Sequence, residues 1–324
     1  MDRQCNTYHG CDSGDSPVNL ELLGYTANST ELKTGKFMSI DLGQSTNKGT
    51  ALTKLAHQFQ SQILFKDEYI SWFFDEAVVR YLQEQPWTID DEPKDDVEKF
   101  YKIAYWYIIL REKHGDEAIE AAIASGCKQI LLLGSGYDTR FFRLPSIKKN
   151  SISTFEIEFP KTIEDKREYL IRKLGVIPQG LSLIPLDFNQ DNLSSLSSYG
   201  FDNAIPTAYI WQGVSYYLPK ESVSKFLDFI QCQMASGSVF LFDCCSPLMT
   251  FKNELVPGIA SSIDKLNEIG EPFQFGMYSN EMEAWLREKG FQDIQIMQQD
   301  DLEAEFLHRR TLPDNMWYVV AVKA

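Results

Sequence analysis

The sequence predicts an α/β protein built on a seven-stranded, mostly parallel sheet of the doubly wound, Rossmann type. Three observations carry that expectation. Short apolar or β-branched runs alternate with helical stretches from residue 129 onward, which is how a doubly wound sheet is written in sequence. The run Gln129-Ile-Leu-Leu-Leu133 stops abruptly in Gly134-Ser-Gly136, a buried strand delivering a tight turn whose backbone must take positive φ or leave no Cβ beneath a ligand. About twenty residues on, a second apolar run carries Glu156 and Glu158 near its end, the kind of acid that ribose hydroxyls require.

Composition bounds the function. The chain has 324 residues, 44% of them apolar, enough for one large α/β unit with additions. Its 46 acids outweigh 31 bases for a formal net charge of −15, so a phosphate backbone would be repelled and nucleic acid is not an expected partner. The six cysteines show no Cys-x-x-Cys and the four histidines no His-x-x-x-His, so neither a metal site nor a disulfide framework is expected. No basic-then-apolar leader and no apolar window of membrane-spanning length is seen, and a soluble, cytoplasmic protein without membrane contact is the expectation.

Residues 1–48 are rich in Ser, Thr, Asn, Gly and Asp and read as a poorly ordered arm. From 49 to 126 the pattern is helical. Leu52, Leu55, Ala56, Phe59 and Ile63 recur at helical spacing, and a second helix is expected from Glu68 with Ile70, Phe73, Phe74, Ala77, Val78 and Leu82 inward. The acidic stretch 90–98 reads as a solvated loop and helix start, leading into a long helix from Val97 to Ser125 whose aromatic stripe, Phe100 to Tyr107, reads as core. Strands are expected at 129–133, 152–157, 181–185, 207–211, 237–243, 292–297 and 316–322. Helices fill the gaps, one opening at Pro160, where the missing N–H costs nothing, and one at Pro219. The segment 244–277 reads as a lid inserted into the 127–324 core.

Three successive strands exit on polar groups, Glu158, Asp187 and Gln212. The carboxyl ends of parallel strands line the ligand crevice, so these side chains are expected around one molecule. A dinucleotide would want a third glycine where Thr139 stands, and Asp138 beside the turn would repel a diphosphate. The same acid suits a cationic cofactor such as S-adenosyl-L-methionine, with its sulfonium and ammonium groups. Gly134→Val is expected to remove that ligand while sparing the fold. The general-base candidates are Asp243 and His308.

The block Leu133-Gly134-Ser-Gly136-Tyr-Asp138-Thr139-Arg140-Phe-Phe-Arg143-Leu144 resembles the LGxGxDTRxxRL signature of the leucine carboxyl methyltransferase-like family of S-adenosyl-L-methionine-dependent methyltransferases. The likeness continues through Phe155-Glu-Ile-Glu158-Phe-Pro160, Leu186-Asp187-Phe188, Pro206 to Gly213 with Tyr217-Leu218, Trp285 to Gly290 and, upstream, Lys66-Asp67-Glu68-Tyr69. It implies a class I methyltransferase-like fold. It also implies that Lys54 and Arg111 hold the cofactor carboxylate, Gly134 and Gly136 admit its methionyl part, Glu158 binds the ribose, and Asp187 and Phe188 flank the adenine. Gln212 stands where the family has Glu, beside the cofactor's amino-acid end, and keeps an acceptor while losing the charge. The activity implied is O-methylation of a hydroxyl or carboxyl on a small-molecule acceptor of secondary metabolism, with a hydroxyl favoured. A protein C-terminal carboxyl methyltransferase and a non-catalytic cofactor-binding module are the alternatives.

Overall fold

The computed structural model describes residues 46–89, 91–187, 193–256, 258–268 and 270–323. The expected arm at 1–48 therefore lies, up to residue 45, outside the described residues, as does Phe188.

Seven strands form one sheet: β1 (Gln129–Leu133), β2 (Ser153–Glu158), β3 (Leu181–Pro185), β4 (Thr207–Trp211), β5 (Val239–Cys245), β6 (Phe291–Gln298) and β7 (Met316–Lys323). Their order is β3-β2-β1-β4-β5-β7-β6, with β7 antiparallel to both neighbours and the other pairings parallel. The strand order reverses between β1 and β4, which places the ligand crevice of an open α/β sheet at the carboxyl end of β1. This is the class I methyltransferase-like arrangement expected from the sequence. β5 runs two residues past its expected end because Cys244 and Cys245 pair with Trp317 and Met316 of β7. The two cysteines read as the start of the lid are strand residues, both fully buried.

The strands are apolar on both faces because both are covered. Ile130, Leu132, Ala208, Ile210 and Leu241 face Ile119, Ala122 and Ile123 of the long helix α3 (Asp96–Ala124). On the other face Leu131, Leu133, Tyr209, Trp211, Phe240 and Phe242 pack with Val223, Leu227 and Ile230 of α7 (Lys220–Gln233) and with Met282 and Leu286 of α9 (Ser279–Glu288). Between them in the chain come α4 (Arg140–Arg143), α5 (Pro145–Lys149) and α6 (Pro160–Leu174).

Upstream, α1 (Thr46–His57) and α2 (Glu76–Glu84) pack with α3. The single helix expected from Glu68 is divided: a 3-10 turn, Ile70–Phe73, stops at the extended Phe74, and α2 restarts after Asp75. The break is local chemistry, since Asp67 Oδ1 accepts from the N–H groups of Tyr69 and Ile70 and holds a turn rather than a helix. The acidic loop does start a helix. Asp95 caps α3 by accepting from Glu98 N, while Glu98 accepts from Lys94 N.

After β5, a 3-10 turn (Pro247–Thr250) and α8 (Ile259–Glu268) carry the chain back over α3. Met249, Val256 and Ile259 are buried in the same cluster as Tyr105 and Trp106. A further helix, α10 (Gln299–Leu307), links β6 to β7. No helix among the described residues is long and apolar enough to cross a membrane.

Candidate active site

The site is built outward from the turn that follows β1. Gly134 and Gly136 take φ of +75° and +49°, the left-handed region that other residues enter at a cost. The N–H groups of Gly134 and Ser135 both donate to Ile157 O at 2.9 Å, and Gly136 N donates to Glu158 Oε2 at 2.9 Å. A Cβ on Gly134 would lie 2.6 Å from Val214 Cγ2. Gly134→Val therefore damages the turn itself, and the expectation that it spares the fold is corrected by that clash together with the positive φ.

Behind the turn lies a buried ion network that explains the arginines of the signature block. Arg140 Nε donates to Asp116 Oδ1 at 2.9 Å, its Nη1 to Asp138 Oδ2 at 2.8 Å, and its Nη2 lies 3.1 Å from Glu112 Oε2. Arg143 pairs with Glu112 and Asp116. Thr139 Oγ1 donates to Asp67 Oδ2 at 2.6 Å, which ties the Lys66–Tyr69 segment to the same network. Lys54 on α1 reaches Glu112 Oε1 at 3.4 Å. Burial alone would push the Glu112 carboxyl up, but Arg140, Lys54 and Arg143 hold it well below the usual carboxylate range. Removing one member of such a network strands a buried charge, at about 3–5 kcal/mol.

A cavity opens between this turn and α1. Lys54, Arg111, Gly134, Gly136, Asp138 and Gln212 all line it, so six of the residues expected from the sequence are brought together. Arg111 Nη1 is held by Asp243 Oδ2 at 3.2 Å, Tyr216 Oη at 3.2 Å and Tyr107 Oη at 3.3 Å. Asp243 is wholly buried; its Oδ2 also accepts from Tyr107 Oη and its Oδ1 from Gly213 N at 2.8 Å. It acts as the anchor of Arg111, and its oxygens are committed. His308 sits exposed at the C-terminal cap of α10 with φ +55° and does not line the cavity. Asp138 lines the cavity, yet both its oxygens accept from Arg140, one from the backbone N–H and one from the guanidinium.

Glu158 lies just past Gly136. Its Oε1 accepts from Phe159 N at 2.9 Å and its Oε2 from Gly136 N. With Asn47 as a third partner, the carboxylate keeps one lone pair for a further donor. Burial raises its pKa despite those two N–H groups. Glu156, the other acid of the strand, is fully buried against Lys166 of α6, which leaves Glu158 as the acid at the turn. Asp187 is half-buried two residues beyond β3 and does not line the cavity.

Sequence reasoning missed Asn47, Tyr216, Tyr217 and Glu112, which line the cavity as well. Asn47 hydrogen-bonds Glu158, and its Oδ1 stands 3.2 Å from where a Gly136 Cβ would be. The tyrosines follow β4 directly, so the strand-end rule that singled out Gln212 reaches them too. They are roofed by residues 271–275: Gln274 N donates to Tyr216 O at 2.7 Å, Phe273 packs on Tyr216 with ring centroids 4.9 Å apart, and Glu271 Oε2 accepts from Thr46 N at 3.2 Å. Among the described residues, no group of three or more His, Cys, Asp or Glu side chains could hold a metal ion.

Comparison with known proteins bears on the family and the fold. The sequence profile of the leucine carboxyl methyltransferase family matches residues 48–231. A Streptomyces coelicolor protein provisionally named an S-adenosyl-L-methionine-dependent methyltransferase is 34% identical over 174 residues, 53% of this chain and 61% of that one. A Mycobacterium avium protein with the same provisional name is 28% identical over 203 residues, 61% of this chain and 63% of that one. The chain thus spans less than two thirds of the length of these curated relatives. Among solved structures, a DUF574 family protein from Streptomyces avermitilis superposes with a TM-score of 0.55 at 11% identity, covering 85% of this chain and 97% of that one. A Thermobifida fusca protein provisionally described as a methyltransferase gives 0.51 at 13% identity, covering 85% and 94%. At such identities the two structures speak to the fold alone.

Proposed function

The chain belongs to the leucine carboxyl methyltransferase family, and from that premise we propose that it binds S-adenosyl-L-methionine at the glycine turn and methylates an oxygen of a small-molecule acceptor, a carboxylate above all. The observation that carries this reading is the convergence of Lys54 and Arg111 on one cavity with Gly134 and Gly136. Two cations there suit a carboxylate, and two residues without Cβ admit a chain close to the backbone. Glu158 beyond Gly136 keeps acceptor capacity for ribose hydroxyls. The donor set thus fits the cofactor.

Bound there, the cofactor supplies an electrophilic methyl group. Lys54 and Arg111 fix the carboxylate end, each kept in place by its own buried acid, Glu112 and Asp243. The roof that Phe273 and its neighbours form over Tyr216 and Tyr217 excludes water and holds the acceptor in line, and proximity and orientation supply much of the rate in such a displacement. The 246–277 segment that carries this roof is read as the acceptor-side lid.

Proton inventory favours the carboxylate. Both acids lining the cavity, Glu112 and Asp138, are paired with Arg140, and Asp243 is committed behind Arg111. A hydroxyl acceptor would need a base to take its proton; a carboxylate arrives ionised. This reverses the preference for a hydroxyl drawn from the sequence. A protein C-terminal carboxylate has the same chemistry, but the close roof favours a small acid.

Calorimetric titration with S-adenosylhomocysteine and with NAD tests the reading. Binding of the first and not the second is expected, with Lys54→Met weakening it at least tenfold, the loss of one charge-assisted bond. Equal affinity for NAD, or an unchanged Lys54→Met, would overturn it. With a panel of small acids and phenols as acceptors, acids should be methylated at a rate nearly flat around neutral pH.

A further inference from the structure

α1 forms one wall of the cavity at the glycine turn, with Thr46, Asn47, Thr50, Ala51 and Lys54 lining it, a stripe at helical spacing. Its far end is pinned by a buried acid, Glu112, which Lys54 reaches at 3.4 Å. The first turn is fastened differently. Thr46 N donates to Glu271 Oε2 at 3.2 Å, and the Thr46 side chain hydrogen-bonds Tyr217. Asn47 hydrogen-bonds Glu158 and stands over Gly136. Lys48 lies off the cavity.

Lys48 Nζ donates to Phe73 O at 3.1 Å and sits 4.2 Å from the ring centroid of Tyr137, 4.8 Å from that of Tyr169 and 5.3 Å from that of Phe74. The seat is a packed wall: Phe73 is fully buried, with its ring centroid 5.2 Å from that of Tyr137 and 5.8 Å from that of Tyr169. Its carbonyl is on offer because the chain breaks at the extended Phe74, which leaves Phe73 O outside α2. Lys48 makes no ion pair among the described residues. Burial lowers its pKa, and Asp165 and Asp75 oppose that from a distance. Ring faces and one carbonyl hold a cation less tightly than a buried carboxylate would.

We propose that the first turn of α1 is a gate over the cofactor cavity and that Lys48, seated among Tyr137, Tyr169 and Phe74, is its latch. A ligand stretched from Glu158 to Lys54 lies along α1, so it leaves when the turn lifts Asn47 from Glu158 and Thr46 from Glu271. The second of these bonds ties the turn to the roof over Tyr216 and Tyr217, so gate and roof open together. Lys48, Phe73, Phe74 and Tyr169 line no part of the cavity, and the latch acts on a ligand only by keeping the turn down. The gate rests on S-adenosyl-L-methionine occupying this cavity; the fastening of the turn does not.

The test is binding of S-adenosylhomocysteine to the immobilised full-length protein by surface plasmon resonance, which reads both rates. Lys48→Met keeps the apolar stem and removes the charge and the donor. It should speed dissociation at least tenfold. The free protein seats Lys48 as well, so association should quicken too and affinity should change less than the dissociation rate. Tyr169→Leu, which removes one ring of the seat, should act in the same direction. The double variant should release ligand no faster than Lys48→Met alone, because the two changes undo one fastening. Hydrogen exchange of the free protein supplies the half that needs no ligand. The amides of Thr50, Ala51 and Leu52 bond the carbonyls of residues 46–48 in the helix ladder. They should exchange at least tenfold faster in Lys48→Met while the amides of β1 and β4 keep their rates. A dissociation rate within about threefold of wild type, rates that multiply in the double variant, or unchanged exchange at Thr50, Ala51 and Leu52 would each overturn the latch. Failure of the wild-type chain to bind S-adenosylhomocysteine would instead sink the cofactor reading, and the exchange comparison would still decide the latch.

Discussion

Arg140 Nη2 donates to Gln212 Oε1 across 3.1 Å, and Gln212 Nε2 donates in turn to the main-chain carbonyl of Arg111 at 3.2 Å. One amide thus joins the ion network behind the glycine turn to the helix turn that carries Arg111. A carboxylate in that position would keep the bond to Arg140 and lose the second bond, to Arg111 O. The neutral residue that departs from the family pattern has its own partners on both sides. Gln212→Leu, similar in volume and without polar atoms, should cost about 0.5–1.5 kcal/mol through the loss of these two bonds, because Arg140 Nη2 keeps Glu112 Oε2 and Arg111 O keeps its place in the helix ladder. Urea unfolding measures it, and a midpoint equal to wild type would show that the amide bridges nothing of weight.

Gly115 lies inside α3, where alanine is intrinsically better by about 1 kcal/mol. Here the sign should invert. A Cβ at this position would meet Arg140 Nη2 at 2.6 Å and Gln212 Oε1 at 2.8 Å, and pushing either aside disturbs the buried network. Gly115→Ala is expected to lose about 1–3 kcal/mol, the usual cost of overpacking. A stabilised variant in urea would mean that the helix has slack the packing does not suggest.

The sheet was legible because buried parallel strands are nearly continuous apolar runs, and all seven appear within two residues of their expected starts. The turn was legible because only glycine tolerates its φ values. What stayed hidden was the partnering of charges across long sequence separations. Asp138 reads as a ligand group beside a glycine turn, yet it faces Arg140 two residues on. Glu112 carries no local mark, being one acid among several on a long helix. Asn47 falls in a stretch whose composition reads as an arm, and nothing local tells that α1 begins at Thr46. The divided helix at residue 74 was hidden for a related reason: helical spacing of Ile70, Phe73 and Ala77 survives a break that Asp67 imposes from outside the pattern.

One buried and one half-buried histidine, His57 and His114, make stability depend on pH. His57 accepts from Leu64 N through Nε2, which places its proton on Nδ1, where Tyr105 Oη lies 2.6 Å away. Burial lowers the pKa of His57, and of His114, from 6.5 to about 4. The unfolded chain therefore binds protons at these positions that the folded one refuses. Their contribution is fully present above pH 6.5 and is lost as the pH falls toward about 4. Melting temperature should drop over that window, and His57→Gln should flatten part of the drop. An acid profile unchanged by that substitution and by His114→Gln would place the sensitivity in other groups.

Glu158 should make ligand binding acid-sensitive in a different way. Burial raises its pKa above the ordinary 4.5, so the free protein takes up a proton there at a pH where an exposed glutamate would stay ionised. Once protonated, the carboxyl gives up part of its capacity to accept from ribose hydroxyls, and one oxygen becomes a donor instead. Affinity for S-adenosylhomocysteine should accordingly be steady near neutral pH and fall on acidification, beginning above pH 4.5. Gly136 N shares the same carboxylate, so the turn should loosen together with the ligand. Glu158→Gln cannot titrate and offers only one acceptor oxygen. It should bind at least tenfold more weakly at neutral pH, the loss of a charge-assisted bond, and it should show no fall on acidification beyond that of the ligand itself. Calorimetric titrations of both proteins from neutral pH downward provide the comparison. Parallel curves for the two would take the ribose away from Glu158 and leave its carboxylate with the turn alone.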